Sequence, residues 1–491
     1  MARPNIPVLI PIAAALFASL VATACARSAS GPLAVQVSSQ TDLASPQEQP
    51  PRRLAVTPEK AQVGEEVEVR AEGLAPGKRV SIVWETVSGG WIIEDYYHFK
   101  GKQYRERSFP LVEATVSSEG ILQSRFPVPE DYGGVHNVSV LAEALPLAKG
   151  GLEVTQKFEM SPGEGPVGTI IELRATGLGW RTMESTWVVN WDNHLAGWIS
   201  AADTGGSAVA RFRAAGPPGD HEVRVYTGYQ GQGYLNHEQA PNAYLPRPHF
   251  VFRTTPEGEL PASYSEPYPV QPVLLAATRD GIWMEVTPTQ GPVLTPVRLT
   301  GSGFAAGRSL DVTWSTWVGS RVTETGFAPK EEVIGTVLVS TQGTIDAAIT
   351  IPDDLGGLHS VVVKDGGEEL ARVSFAVETS IVDIFPTSGP SGTPVTIHLK
   401  GVGWTEYDNI YVVNYDNAYM GYACGFNSQG DVVVNFTAAG APGVHLIDFY
   451  PGLYQGPEKG QQLYRLPQLT YKDDHPGNKI PALRFAFEVT P

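Results

Sequence analysis

One phrase recurs four times along this chain, and it limits the fold more than any other feature. An apolar residue and a proline lead into a Gly-rich corner, and an alternating strand follows. The copies are Val56-Thr57-Pro58, Met160-Ser161-Pro162, Val286-Thr287-Pro288 and Ile384-Phe385-Pro386. The second, third and fourth carry a Gly-Pro pair next, at Gly165-Pro166, Gly291-Pro292 and Gly389-Pro390. Each copy then reaches a glycine corner (Gly73, Gly177/Gly179, Gly301/Gly303, Gly401/Gly403) and an aromatic-bearing strand such as Leu310-Asp311-Val312-Thr313-Trp314. A repeat at this period means several copies of one folding unit, each roughly 100 residues and each with its own core.

The copies fall into two kinds. One constant offset carries Pro162 to Pro386, Asn190 to Asn414 and His221 to His445, without a gap as far as Gly228 and Gly452. The first and third copies match each other instead, as in Trp84-Glu85-Thr86 beside Trp314-Ser315-Thr316. They match again at Pro129-Glu130-Asp131-Tyr132-Gly133-Gly134 beside Pro352-Asp353-Asp354-Leu355-Gly356-Gly357. The order is A-B-A′-B′, a duplicated pair. The expected division is A 54–157, B 158–253, a Pro-rich semi-extended connector 254–284, A′ 285–380 and B′ 381–491. The junctions inside each pair are short, so A should stack firmly on B and A′ on B′.

Alternation with period two identifies strands: Val67-Glu68-Val69-Arg70, Val395-Thr396-Ile397-His398-Leu399 and Val432-Val433-Val434-Asn435-Phe436 each suit a half-buried sheet. Lys364-Asp365-Gly366-Gly367 is a hairpin turn, since Asp-Gly tolerates positive φ. Gly (52) and Pro (40) are abundant, which favours short strands and turns over long helices. The expected fold is all-β, four tandem antiparallel β-sandwiches of immunoglobulin-like size.

The phrase Ile384-Phe385-Pro386-Thr387-Ser388-Gly389-Pro390-Ser391-Gly392-Thr393, with Gly401 and Gly403, resembles the starts of IPT/TIG domains. The likeness covers nearly all of 54–253 and 285–491. It is specific in the third and fourth copies, good in the second and looser in the first, which lacks the Gly-Pro pair. The resemblance implies early-set immunoglobulin-like sandwiches, found in bacterial surface proteins and as accessory modules of polysaccharide enzymes, and it brings no catalytic residues with it.

The N-terminus points outward. Arg3 precedes an apolar stretch from Val8 to Val21, too short and too interrupted by Pro11 for a comfortable span but suited to a signal peptide over 1–25. It ends Val21-Ala22-Thr23-Ala24-Cys25, which resembles a bacterial lipobox, with Ala22 where Leu is usual. The expectation is lipid attachment at Cys25 and display at the cell surface or outer envelope. Cleavage before an unmodified Cys25, and so secretion, is the alternative. Residues 26–53 are rich in Ser, Gln and Pro and read as a flexible tether. A net charge of −17 argues against nucleic acid and against adsorption to anionic lipid. Cys25 and Cys424, the two cysteines, lie in segments with different fates and are not expected to pair.

Three constellations invite a functional reading. A histidine recurs as His136, His221, His359 and His445; one per repeat is too dispersed for a metal, so a structural corner role is expected. Asn190-Trp191-Asp192-Asn193 recurs as Asn414-Tyr415-Asp416-Asn417 in the B-type repeats alone. Its oxygens are of the kind calcium takes and its aromatics of the kind sugars stack on, whereas a tight turn with a core aromatic explains it equally in kind. No ligand spacing supports calcium, and no cofactor or metal is expected. Finally, the turn after Val223–Tyr226 and its twin Ile447–Tyr450 swells into long loops, and long loops are usually functional or disordered. These carry Tyr229, Tyr234, Asn236 and His237 in B, then Tyr454, Tyr464, Tyr471 and His475 in B′. They suit sugar or peptide recognition, or else cover a sheet edge or neighbouring repeat.

Catalytic motifs are not legible: no Gly-x-Ser-x-Gly elbow occurs, and His237-Glu238 lacks the second histidine of a zinc-protease helix. The reading is a non-catalytic surface lipoprotein. It binds polysaccharide or an extracellular protein through the B-type loops, with Asn190, Trp191, Asp192, Tyr229, Tyr234, Asn414, Tyr415, Asp416, Tyr454 and Tyr464 as contact candidates. The alternative is a spacer or assembly component whose loops pack between repeats.

Overall fold

The computed structural model describes residues 51–491 apart from 96, 230, 257, 270–278, 321, 324–325, 428, 455–464 and 478. Cys25, the signal segment and most of the tether therefore lie outside the described residues. Residues 51–491 form one compact unit.

Alternation makes the strands. In Glu66–Ala71 the residues Val67, Val69 and Ala71 are buried while Glu66 and Arg70 are exposed. That strand joins Ala55–Thr57 and Leu122–Pro127 in a three-stranded sheet. Opposite lies a larger sheet in the order Arg52–Arg53, Leu145–Val154, Gly134–Ala142, Arg79–Glu94, His98–Thr115. Inward side chains of both sheets, among them Val69, Ile82, Trp84, Val138 and Val140, make the core between them. Similar sheet pairs, with cores of their own, recur in each of the other three repeats. The architecture is that of immunoglobulin-like β-sandwiches.

The repeated phrase is the strand that changes sheets. Before Pro288, Val286 pairs antiparallel with Leu299; after it, Gly291 pairs parallel with Val377 on the opposite sheet. Ile384 with Ile397 and Gly389 with Val489 do the same. A cis peptide precedes Pro58, Pro162, Pro288 and Pro386 alike. The sandwiches are thus antiparallel except along this one edge.

Paired repeats touch through the Gly-Gly corner. Gly133 N–H donates to the Leu178 carbonyl at 3.0 Å, and Gly356 N–H to that of Val402 at 3.1 Å. A Cβ on Gly133 would stand 1.7 Å from the Gly177 oxygen, and one on Gly356 1.9 Å from that of Gly401. The first glycine is required by this close approach. The second, Gly134 or Gly357, has a positive φ of 99° or 91°.

Two departures from beads on a string follow. The repeat-A hairpin, 16 and 18 residues per strand against 11 and 12 in A′, outgrows its own sandwich. Its Trp91 and Phe99 join Val188, Trp198 and Tyr226 of B and Tyr407 and Leu453 of B′ in a separate apolar cluster. The connector is also more than a tether. Tyr264–Ser265 adds an antiparallel strand beside Leu483–Thr490, and Glu266 is buried against Arg484 at 2.8 Å. Backbone pairing and a buried ion pair hold this extended stretch of the connector in place.

Candidate functional site

The Asn-aromatic-Asp-Asn motif sits at the tip of a two-stranded hairpin in both B-type repeats. Asp192 and Asn193 have φ of 46° and 65°, Asp416 and Asn417 of 49° and 61°, the pattern of a type I′ turn. The aspartate also ties down the neighbouring strand. Asp192 Oδ1 accepts the Glu222 N–H at 2.9 Å, and Oδ2 stands 2.6 Å from His221 Nδ1. Asp416 repeats this with Leu446 N–H at 2.8 Å and His445 Nδ1 at 2.5 Å.

The aromatics face inward. Trp191 is 2% exposed and stacks on His221 at 4.9 Å. Tyr415 is half-buried, stacks on His445 at 5.4 Å and donates its hydroxyl to the Ala439 carbonyl at 2.7 Å. Asn414 is 1% exposed and donates to the Ala196 carbonyl of repeat B at 2.7 Å, while Asn417 donates to that of Arg213. Asn190 is half-buried. The proposed ligand roles of Trp191, Asp192, Asn414, Tyr415 and Asp416 are therefore corrected. Their rings fill a core and their polar groups are engaged in a turn or between repeats.

The four histidines share one position and two chemistries. In A and A′ the ring lies on an indole, His136 on Trp84 at 4.4 Å and His359 on Trp314 at 4.6 Å. Both nitrogens face carbonyl oxygens: Tyr132 and Glu85 for His136, Leu355 and Ser315 for His359. Burial pushes both rings below the usual histidine range. In B′ the hydrogen bond with Asp416 outweighs burial and raises His445.

The two long loops have separate fates. Residues 465–477 of B′ form a strap on repeat B. Trp198 N–H donates to the Pro467 carbonyl at 2.8 Å, and its indole N–H to that of Leu466 at 2.9 Å. Arg211 N–H donates to the Leu469 carbonyl at 2.9 Å. Leu469 and Tyr471 are fully buried in the core of B. Tyr454 is half-buried on Ile410, Val412 and Cys424. Tyr464 and the Tyr229 side chain lie outside the described residues. In B the loop is anchored by Asn242 and Leu245, 0% and 5% exposed, with Leu245 in the core of B, while Tyr234 is half-buried, Leu235 82% exposed and Tyr244 63% exposed.

Sequence reasoning missed the ionic centre of the B–B′ contact. Arg213 of B, 0% exposed, meets Asp448 of B′, 1% exposed, at 2.7 Å, and donates to the Phe485 carbonyl at 2.6 Å. Asp448 also pairs with Arg484 at 3.2 Å, which in turn holds Glu266. A charge set in the apolar run Ile447-Asp448-Phe449-Tyr450 was the available signal.

Where A, B and B′ meet, buried ionisable groups collect. The Trp91 indole donates to the Asp474 carbonyl at 2.5 Å, and Asp474 Oδ1 accepts the Asp203 N–H at 2.7 Å. Burial raises both carboxyls, holds Lys102 down at about 8 and pushes His475 down to about 3. Lys102 donates to Ser185 Oγ at 2.9 Å, and His475 lies between Gln468 and the Tyr407 carbonyl. Among the described residues no three metal-ligating side chains converge.

Fold and surface define a protein of interlocked immunoglobulin-like sandwiches. No family model matches the chain, and no curated protein does. Among solved structures, Salmonella alpha-2-macroglobulin reacted with methylamine is 10% identical with a TM-score of 0.18. That match covers 88% of this chain, which spans 30% of the macroglobulin's length. The Escherichia coli adhesin FdeC is 14% identical, with 66% and 96% of the two chains covered and a TM-score of 0.16. A putative membrane anchored protein of Corynebacterium diphtheriae is 10% identical, with 89% and 91% covered and a TM-score of 0.18. At these scores the likeness carries no argument about function.

Proposed function

We propose that this is a non-catalytic, exported surface protein of four immunoglobulin-like repeats that binds an extracellular carbohydrate or protein. Lipid at Cys25 would hold it to the envelope. The observation that carries the reading is the unequal use of two homologous loops. Residues 465–477 of B′ lie on repeat B, whereas the B loop is anchored by Asn242 and Leu245 and keeps Leu235 and Tyr244 at the surface. Large apolar groups on a rigid support suit recognition, because little entropy is lost when they are covered. The recognition surface is thus proposed on the B loop of 231–249.

The test is a screen of the full chain against cell-wall polysaccharides and extracellular proteins, with Leu235→Ser plus Tyr244→Ser beside it. Binding that the double variant loses supports the reading. Binding indifferent to both residues sinks the B-loop assignment.

A second reading, an assembly component, draws on the buried Arg213–Asp448 contact, which suits a rigid spacer. It predicts a clean negative in that screen and co-purification with envelope proteins.

A further inference from the structure

The strap on repeat B works as an added strand. Trp198, in the edge strand His194–Ile199, donates its N–H to the Pro467 carbonyl at 2.8 Å and accepts the Leu469 N–H on its own carbonyl at 2.9 Å. Pro467–Leu469 thus runs parallel beside that strand, with Gln468 opposite Trp198. The Leu469 carbonyl then accepts the Arg211 N–H at 2.9 Å, from Ala208–Arg213, the edge strand of the opposite sheet. One short extended segment therefore spans the open side of the sandwich and sends the Leu469 side chain into its core. A glycine makes the room: a Cβ on Gly197 would stand 2.7 Å from Leu469 Cγ.

Repeat B′ has the same edge without the added segment. The constant offset carries Gly197 to Gly421, Trp198 to Tyr422 and Arg211 to Asn435. The registers agree. Trp198 stands opposite Val188 and Tyr422 opposite Val412, each beside the same bulge, and Arg211 stands opposite Glu172 as Asn435 does opposite Thr396. Tyr422 and Asn435 therefore turn outward the backbone groups that Trp198 and Arg211 give to the strap. Among the described residues no strand lies beside them there. Exposure reports the difference: Ala196 and Trp198 are 0% and 1% exposed, their counterparts Met420 and Tyr422 42% and 46%. Nothing stands within 4 Å of a Cβ on Gly421, so the slot that Leu469 fills in B is open in B′.

An unpaired edge strand is a hazard that proteins blunt with proline or charge. Ala418–Cys424 reads Ala-Tyr-Met-Gly-Tyr-Ala-Cys and has neither. Gly421 has no positive φ and no close neighbour that forces a glycine, whereas its counterpart is required by an incoming leucine. Arg465, over the Tyr422 and Tyr454 rings at 5.6 Å, lies on the outer sheet face with Val412. The class of partner follows from the segment already seated on B. Outward N–H and C=O groups on two facing edges suit another extended backbone, and a slot between the sheets suits one aliphatic side chain.

We propose that this edge of B′ receives an extended segment of a partner protein as an added parallel strand, one aliphatic side chain of the segment entering between the sheets beside Gly421. The site is separate from the B-loop surface, so either assignment can fail without the other.

The experiment uses the full chain and a fluorescent synthetic peptide with the sequence of the strap, Arg465–Tyr471. Binding is read by polarisation, and its place by hydrogen exchange at the Tyr422 and Asn435 N–H groups. Gly421→Val fills the slot at a position with open space, and a peptide carrying Leu469→Ser lacks the side chain that enters it. The expected result is saturable binding, weakened at least tenfold by Gly421→Val and by the serine peptide. Exchange should slow at both N–H groups, and the melting temperature of Gly421→Val should not fall. No saturation up to millimolar peptide overturns the proposal, and so does binding indifferent to Gly421→Val. If that variant unfolds more easily, the serine peptide decides on the unaltered chain: equal affinity for both peptides overturns the proposal. Self-association of the chain alone, abolished by Gly421→Val, would make the occupant a second copy and overturn the partner assignment.

Discussion

Arg213 and Asp448 meet at 2.7 Å with both side chains buried, and they belong to the two equivalent B-type repeats of the duplication. The carboxylate is shared with Arg484, itself 0% exposed. Neither arginine can be left alone cheaply, because an uncompensated charge in a dry interface costs far more than the pair contributes.

Asp448→Ala should therefore destabilise the B–B′ contact by about 3–5 kcal/mol. Chemical denaturation is the check, with Arg213→Met plus Asp448→Leu expected to recover most of the loss. A single Asp448→Ala effect under about 1 kcal/mol would mean that water reaches the pair.

Trp191→Ala should act on stability and not on binding. Its ring is enclosed by His221, Phe212 and Phe252. Truncating such a residue costs about 3–5 kcal/mol. Ligand affinity measured where the variant is still folded should be unchanged; a specific loss of affinity would restore the ring as a contact residue.

The pH dependence follows from the histidines. His359 is lowered by burial, and unfolded histidine titrates near 6.5. As pH falls through about 6.5, the unfolded chain takes up a proton that the folded one refuses. Stability should drop by up to about 1.4 kcal/mol per pH unit for that group. His475 adds the same sign down to about 3. His445, raised by Asp416, has the opposite sign: its contribution is present below the unfolded value and is lost as pH rises through the folded one. Thermal unfolding between pH 7.5 and 5 should show the decline, and His359→Phe should make it shallower by one proton. An unchanged slope in that variant would count against the account.

Asp416→Asn should bring the His445 titration back down towards its ordinary range, read by NMR of the ring. It should also cost roughly 1–2 kcal/mol, since a charge-assisted bond becomes a neutral one. A His445 titration that does not move would show that the raised value comes from elsewhere.

Gly356→Ala should separate A′ from B′, because the new Cβ would stand 1.9 Å from the Gly401 oxygen, a backbone atom. Loss of protection at the Gly356 N–H in hydrogen exchange is the expected readout, and retained protection would refute the close-approach account.

Much of this was legible in particular residues. Period-two runs such as Val67-Glu68-Val69 placed strands because alternate side chains must face one core. The fourfold phrase marked the repeat, and the structure shows that it is also the strand that changes sheets. The recurring histidines were read as structural, and they sit as stacked corner groups. Asp192-Asn193 carried its turn on its face, yet the direction of the neighbouring Trp191 did not show, because an aromatic next to a turn reads the same whether it points into a core or into solvent.

The sequence by itself determined the repeat, the strands and the turns, because those depend on neighbours a few residues away. Tertiary structure alone decided that residues 465–477 of B′ pack on repeat B, that Trp191 turns into a core, and that Arg213 finds Asp448. Those outcomes depend on which faces of distant repeats meet, and two related sequences acquire different surroundings once one of them is covered.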